Sequence, residues 1–316
     1  MFTSVGSPSK RYLTALVASV IAGVLVAVQS RINGEFGLAL GDGALAALLS
    51  FSMGLLVMTI ALVINPEART GLGRIRQALV AGKLPWWGAI GGAGGAFLVL
   101  TQGLSAGVLG VALFTIAVVS GQTLGALVID TRGWVGAPRV LLNRWRVMGA
   151  LLVLAGVVLA LDVRPGGSLE LGVLFVLPLL AGVGTGFQQA VNGRVRAVAM
   201  SSISATFLNF AVGTAVLVIV FLVFLPFTGG PTAIPGTWWL WLGGVVGAFF
   251  IAIQVTTVSI IGVLGLGVSL VTGQLVGSIL LDATMPVATS DLHFATVLGA
   301  LVTLAGSAMV TLSRKS

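Results

Sequence analysis

What most limits the fold of this 316-residue chain is a succession of apolar runs, each about the length of a membrane span. A helix needs about 20 such residues to cross the hydrocarbon core. The runs, separated by polar or Gly/Pro breaks, fall near 12–30, 43–64, 85–102, 108–129, 147–162, 169–190, 203–226, 237–259, 263–281 and 293–312. Only 8% of residues are charged, where a soluble domain carries roughly 25%. Inside a bilayer each backbone polar group must bond within its own segment. The expectation is therefore an all-α polytopic membrane protein with ten transmembrane helices. The turns after the third and eighth runs are marked only by glycines, in TQGLSAGVLG and SIIGVLGLG. The polar first ten residues precede a full-length span, so the first helix is read as retained.

Basic residues test that count. With the N-terminus in the cytoplasm, one side of the membrane receives Lys10 and Arg11, then Arg69, Arg74, Arg76 and Lys83. The same side receives Arg132, Arg139, Arg144 and Arg146, followed by Arg194, Arg196, Arg314 and Lys315. That is 14 of the 16 Lys and Arg residues, with Arg31 and Arg164 outside. This asymmetry is the one the positive-inside rule requires, and it places both termini in the cytoplasm. The net charge of +8 then belongs to loops facing anionic lipid, and no nucleic-acid partner is implied. Absence of cysteine excludes disulfides, thiolate metal sites and cysteine catalysis.

The chain also repeats. At an offset of 159 residues, Gln29, Asn33, Gly34, Phe51 and Gly54 match Gln188, Asn192, Gly193, Phe210 and Gly213. At an offset of 152, WWGAIGGAGGAFLVLTQ (86–102) matches WWLWLGGVVGAFFIAIQ (238–254), and Gly121, Gln122, Gly125 and Asp130 match Gly273, Gln274, Gly277 and Asp282. Chance apolar similarity would not keep polar residues in order. Two repeats are expected, 1–162 and 163–316. Five spans each is an odd number, so the second repeat enters from the opposite face, and such inverted repeats can present a central site to either side.

Few side chains could carry chemistry. No catalytic pair, metal-ligand cluster or phosphate loop is evident, so neither enzyme activity nor a cofactor or metal is expected; the lone histidine, His293, is read as a solvated or capping residue. Gly91/Gly95, Gly121/Gly125, Gly243/Gly247 and Gly273/Gly277 each form G-x-x-x-G, a flat strip for close helix packing. Their positions suggest a tight pair of spans three and four, matched by eight and nine. Gln122, Gln274 and Asn209 are candidates to line a substrate cavity, with plain interhelical hydrogen bonding as the alternative. Gln29, Asn33, Gln188 and Asn192 lie near the ends of spans one and six and are candidate gates or helix-end locks. Asp130 and Asp282 mark span ends, as interfacial anchors or as coupling groups. Arg31 and Glu35 have the i,i+4 spacing of a local pair. No charge sits near the centre of a span, which favours a neutral, zwitterionic or amphipathic cargo.

Ten spans in an inverted five-plus-five repeat resemble the drug/metabolite transporter superfamily. The strings VQSRINGEFG, ALLSFSMG, GGAGGAF and GQTLGALVIDTRG resemble its YdcZ-type branch, as do QQAVNGRV, FLNFAVG, GGVVGAFF and GQLVGSILLD in the second half. The resemblance covers essentially the whole chain, as a fusion of two five-helix units. It implies an EamA-like fold in a bacterial cytoplasmic membrane and a secondary transporter that exports a small molecule. Small multidrug relatives use a glutamate in the first helix, and residues 12–30 contain none. A non-transporting scaffold or assembly partner is the alternative, and a homodimer stays open.

Overall fold

The computed structural model describes residues 10–134, 139–161, 169–285 and 292–313. The expected repeat boundary at 162/163, together with Arg164, Arg314 and Lys315, lies outside them. Among the described residues the secondary structure is helical throughout, without a strand. We number the helices α1 (Lys10–Leu40), α2 (Gly43–Ile64), α3 (Pro66–Val80), α4 (Gly92–Leu109), α5 (Val111–Arg132), α6 (Arg144–Ala160), α7 (Leu169–Ala199), α8 (Ser202–Thr228), α9 (Gly243–Thr284) and α10 (Phe294–Leu312).

Helices occupy all ten expected runs. Among the described residues, eight are long and apolar enough to cross a membrane, while Arg144–Ala160 has 17 residues and Trp238–Gln254 is a shorter apolar helix. Capping residues set the starts: the Asp42 carboxylate accepts from Ala44 N and Leu45 N, and Ser201, its repeat counterpart, caps α8 through Ser204 N. Two boundaries differ from the sequence reading. Both α1 and α7 run to 31 residues, so Gln29–Glu35 lie well inside a helix instead of closing it. The polar residues that end the apolar run find partners there, as Arg31 pairs with Glu35 and Asn33 bonds Gln102.

Helix α3 is also new. Asn65 caps it at Ala68 N, Pro66 fills its first position, and Ala68, Gly71, Ile75 and Ala78 form its buried face. These pack on Val191, Val195, Ala199 and Ala205 of α7 and α8. The chain between α8 and α9 forms no matching helix.

Glycines make two repeat-related reversals. Gly110 (φ 79°) precedes α5, and Gly262 (φ 72°) interrupts α9, both in the backbone region that glycine enters without steric cost. They are repeat counterparts. The first segment of α9 runs antiparallel to α1, since Gly243 lies by Asn33, Gly247 by Gln29 and Thr257 by Ser19. Beyond Gly262 it runs parallel to α1, with Gly273 by Val20 and Gly277 by Val24.

Repeat-equivalent helices pack antiparallel. Phe51 lies against Gly213 and Phe210 against Gly54, and the two rings meet at 5.1 Å between centroids. Likewise Gly149 abuts Gly306 and Gly156 abuts Gly299, between α6 and α10. This crossed pairing is what a two-fold axis between inverted halves produces. The Phe51–Phe210 pair sits beside that axis, in a core with Ala47, Met58, Ala96, Val99 and Leu217.

Candidate functional site

The two Gln-x-x-x-Asn motifs and the G-x-x-x-G motifs meet each other across the halves. Gln29 Nε2 donates to Gly243 O at 3.1 Å, and Asn33 Oδ1 lies against the Cα of Gly243. A Cβ on Gly247 would come within 2.5 Å of Gln29 Nε2. In the other half, a Cβ on Gly95 would come within 2.5 Å of Gln188 Nε2, and one on Gly91 within 2.7 Å of Asn192 Oδ1. Each repeat's glycines make room for the carboxamides of the other. The remaining glycine pairs behave alike: Gly121 and Gly125 seat on Leu179, Gly182 and Val183 of α7, while Gly273 and Gly277 seat on Val20, Gly23 and Val24 of α1. The expected pairing of span three with four, and eight with nine, is therefore corrected. The glycine strips pack between repeats, because the covalent neighbours are already joined by a short turn and leave those faces free for α1 and α7.

Beyond this shared frame the two ends differ. At the end of α1, Asn33 Nδ2 donates to Gln102 Oε1 at 2.7 Å and Gln102 Nε2 donates to Ser30 Oγ at 2.9 Å. Gln102 opens a π-helical turn, Gln102–Ala106, a local widening that recurs at functional sites. Gln29, Ser30, Asn33 and Gln102 are all buried. At the end of α7, Gln188 Nε2 and Asn192 Nδ2 both donate to Asn209 Oδ1 at 2.9 Å. Asn209 is buried, yet Gln188 and Asn192 are half-buried and Gln189 is exposed. Gln254, the counterpart of Gln102, is also half-buried. One end is sealed and the other is partly open.

The outer layer of the sealed end is built from the second half. Thr232 N donates to Leu40 O at 2.9 Å, Thr228 Oγ1 reaches Asp42, and Trp241 packs on Phe36 at 5.0 Å between centroids. At the partly open end Arg74 Nη1 donates to Ala199 O at 3.0 Å. Leu40 and Ala199 are repeat counterparts and the last residues of α1 and α7. Each terminal carbonyl is thus satisfied by the opposite repeat.

The other candidates lie elsewhere. Gln274 is buried on the α1 face of α9, with its carbonyl oxygen unpartnered, and Gln122 is half-buried on α5 beside α7. The two sit on equivalent helix pairs, and the hydrogen bonds of the Asn209 cluster run to Gln188 and Asn192. Asp282 accepts Val111 N at 3.0 Å and Ala112 N at 2.7 Å, capping α5 from outside, with Arg31 Nη1 at 3.9 Å. Asp130 receives Arg146 Nη2 at 2.8 Å. Sequence reasoning missed Arg146, which it counted among loop charges although the residue is fully buried. The missed signal is Asn143, a capping residue that draws Arg146 into the first turn of α6.

Asn33→Ala is expected to cost about 1–3 kcal/mol, by leaving a buried Gln102 oxygen without its donor. Asn192→Ala should cost less than about 1 kcal/mol, since Gln188 still serves Asn209 in a wetter site. Thermal unfolding of the two purified variants compares them.

Comparison with known proteins agrees with this architecture. A solved structure described only as a crystal structure of a protein superposes with a TM-score of 0.58 over 98% of this chain and 99% of its own, at 19% identity, which speaks to the fold alone. No curated protein matches. The family described as "Putative inner membrane exporter, YdcZ" matches twice, over residues 14–159 and 173–309. With the pattern present once in each half, and helices that pack as inverted equivalents, the chain is a multi-pass membrane transporter that belongs to the YdcZ family of the drug/metabolite transporter superfamily, as a fused two-repeat member.

Proposed function

We propose that the protein is a secondary transporter of the inner membrane that exports a neutral, zwitterionic or amphipathic small molecule by alternating access. The observation that carries this reading is the unequal bonding of Asn33 and Asn192, which are equivalent by repeat but hold different partners. Inverted repeats exchange such arrangements when the opposite mouth opens. In the exchanged state Asn192 would bond Gln254, as Asn33 now bonds Gln102. Asn33 would turn to Ser50, the counterpart of Asn209, whose buried hydroxyl has no partner in the present state.

In this reading Gln29 and Asn33 gate one mouth, and Gln188 and Asn192 gate the other. Gln122 faces the cargo, and Gln274 and Asn209, buried against α1 and the Gln188/Asn192 amides in the present state, reach it only when those contacts open, while Asp130 and Asp282 anchor helix ends. Both termini lie in the cytoplasm, and the repeats are 1–162 and 163–316.

The cysteine-free sequence makes the test direct. The pairs N33C/Q102C and N192C/Q254C are cross-linked in proteoliposomes, and flux is followed against a metabolite and drug panel. Each bond is expected to form, each to stop flux, and a transported compound to shift their yields in opposite directions. Parallel responses would remove the gate assignment. A protein that moves no compound of the panel, while neither cross-link responds to any of them, would favour the scaffold reading.

A further inference from the structure

Helix α3 breaks the two-fold symmetry, and its outward face carries charge that the transport site does not use. Arg69, Gly73, Arg76 and Val80 recur at the 3.6-residue period on the side opposite the buried Ala68, Ile75 and Ala78. Arg69 and Arg76 are exposed, as is Lys83 just beyond the helix. Arg76 lines an open groove of about 440 Å³ with Gly73, Gln77, Val80 and Ala81. Across residues 65–91 and 187–204, six basic residues accompany one acidic residue, Glu67.

Apolar side chains frame this charge. Ile64 ends α2 at 76% exposure, Val80 is 84% exposed and Trp86 74%. Basic groups interleaved with exposed aliphatic and tryptophan side chains, at the point where a span ends, match the boundary between headgroups and acyl chains. A soluble acidic partner would neutralise the arginines and leave those side chains in water.

We propose that this face of α3 docks anionic phospholipid headgroups, and that the docked lipid clamps α3 onto the end of α7. The clamp is mechanical: the buried face of α3 packs on Val191, Val195 and Ala199, and Arg74 holds the Ala199 carbonyl. The same stretch of α7 carries Asn192. Lipid at α3 therefore restrains the partly open end, and nothing equivalent acts at the sealed end, where a loop holds Leu40 O.

The test uses the full chain in nanodiscs of phosphatidylcholine alone, or with one quarter phosphatidylglycerol. Wild type is expected to unfold at a higher temperature with phosphatidylglycerol and to retain that lipid on release into native mass spectrometry. The variant R69Q/R76Q/K83Q should lose both effects, with lipid affinity falling roughly fivefold per charge removed. The control K10Q/R11Q, at the exposed start of α1, should keep them. Dissolved phosphate should give no gain, and 1 M salt should abolish the lipid gain in wild type. Equal lipid retention by wild type and the triple variant, or no gain in wild type, overturns the proposal. If the triple variant already differs in phosphatidylcholine alone, R76Q takes its place under the same criterion. None of these readouts depends on transport.

Discussion

Gly244→Ala is expected to destabilise the protein by about 3 kcal/mol or more, the upper end of the usual cost of overpacking. The new methyl would fall on the carbonyl oxygen of Ser50 and lie 2.6 Å from Gly54 N. Both are backbone atoms of α2, so no rotamer change relieves the clash and the helices must part. Gly92→Ala, its repeat counterpart, should behave alike, because its methyl would meet Asn209 O and approach Gly213 N at 2.9 Å. Two exposed-side substitutions provide the contrast. Nothing lies within 4 Å of a Cβ on Gly73 or Gly193, so alanine there should be neutral or add up to about 1 kcal/mol through helix propensity. Thermal unfolding followed by tryptophan fluorescence reads all four variants. Unfolding of Gly244→Ala at the temperature of Gly193→Ala would refute the close approach of α2 and α9.

Asp130→Ala is expected to cost about 3–5 kcal/mol, because it leaves the buried Arg146 guanidinium without its carboxylate. The double variant Asp130→Ala/Arg146→Met should recover much of that loss, since it removes the stranded cation as well. Asp282→Ala strips two buried N–H donors of their acceptor, at about 1–3 kcal/mol each. Asp282→Asn keeps one carbonyl oxygen and should cost less. These values come from unfolding in detergent, compared with flux in liposomes. An Asp282→Asn variant of unchanged stability that transports nothing would make this carboxylate a coupling group instead of an anchor.

The span pattern was legible because crossing hydrocarbon demands about 20 apolar residues whatever surrounds them. The duplication was legible because Gln, Asn and Gly recurred in fixed order. Partners were not. Helical period places Gly91 and Gly95 on one face, but it does not say which helix that face meets, and the structure shows it meeting α7. The end of α1 was misplaced for a related reason: an apolar window stops at Gln29, whereas the helix continues once Asn33 and Arg31 are paired. Helix α3 was hidden by its buried face, whose small Ala68, Gly71 and Ala78 carry little hydropathy. Its capping signature, Asn65-Pro66-Glu67, was present in plain view. The burial of Arg146 was not legible, since the positive-inside rule weighs charges near span ends without asking whether they are buried.

The exchange of carboxamides and glycines between halves also orders events during synthesis. Gln188 and Asn192 find Asn209 within 21 residues of chain, so the second motif is satisfied almost as it leaves the ribosome. Gln29 precedes its acceptor, Gly243, by 214 residues. At about 5–20 residues per second this is a wait of roughly 10 to 40 s. Throughout that interval the Gln29 amide lacks the acceptor that it meets in the folded protein, and the first half alone does not supply that acceptor.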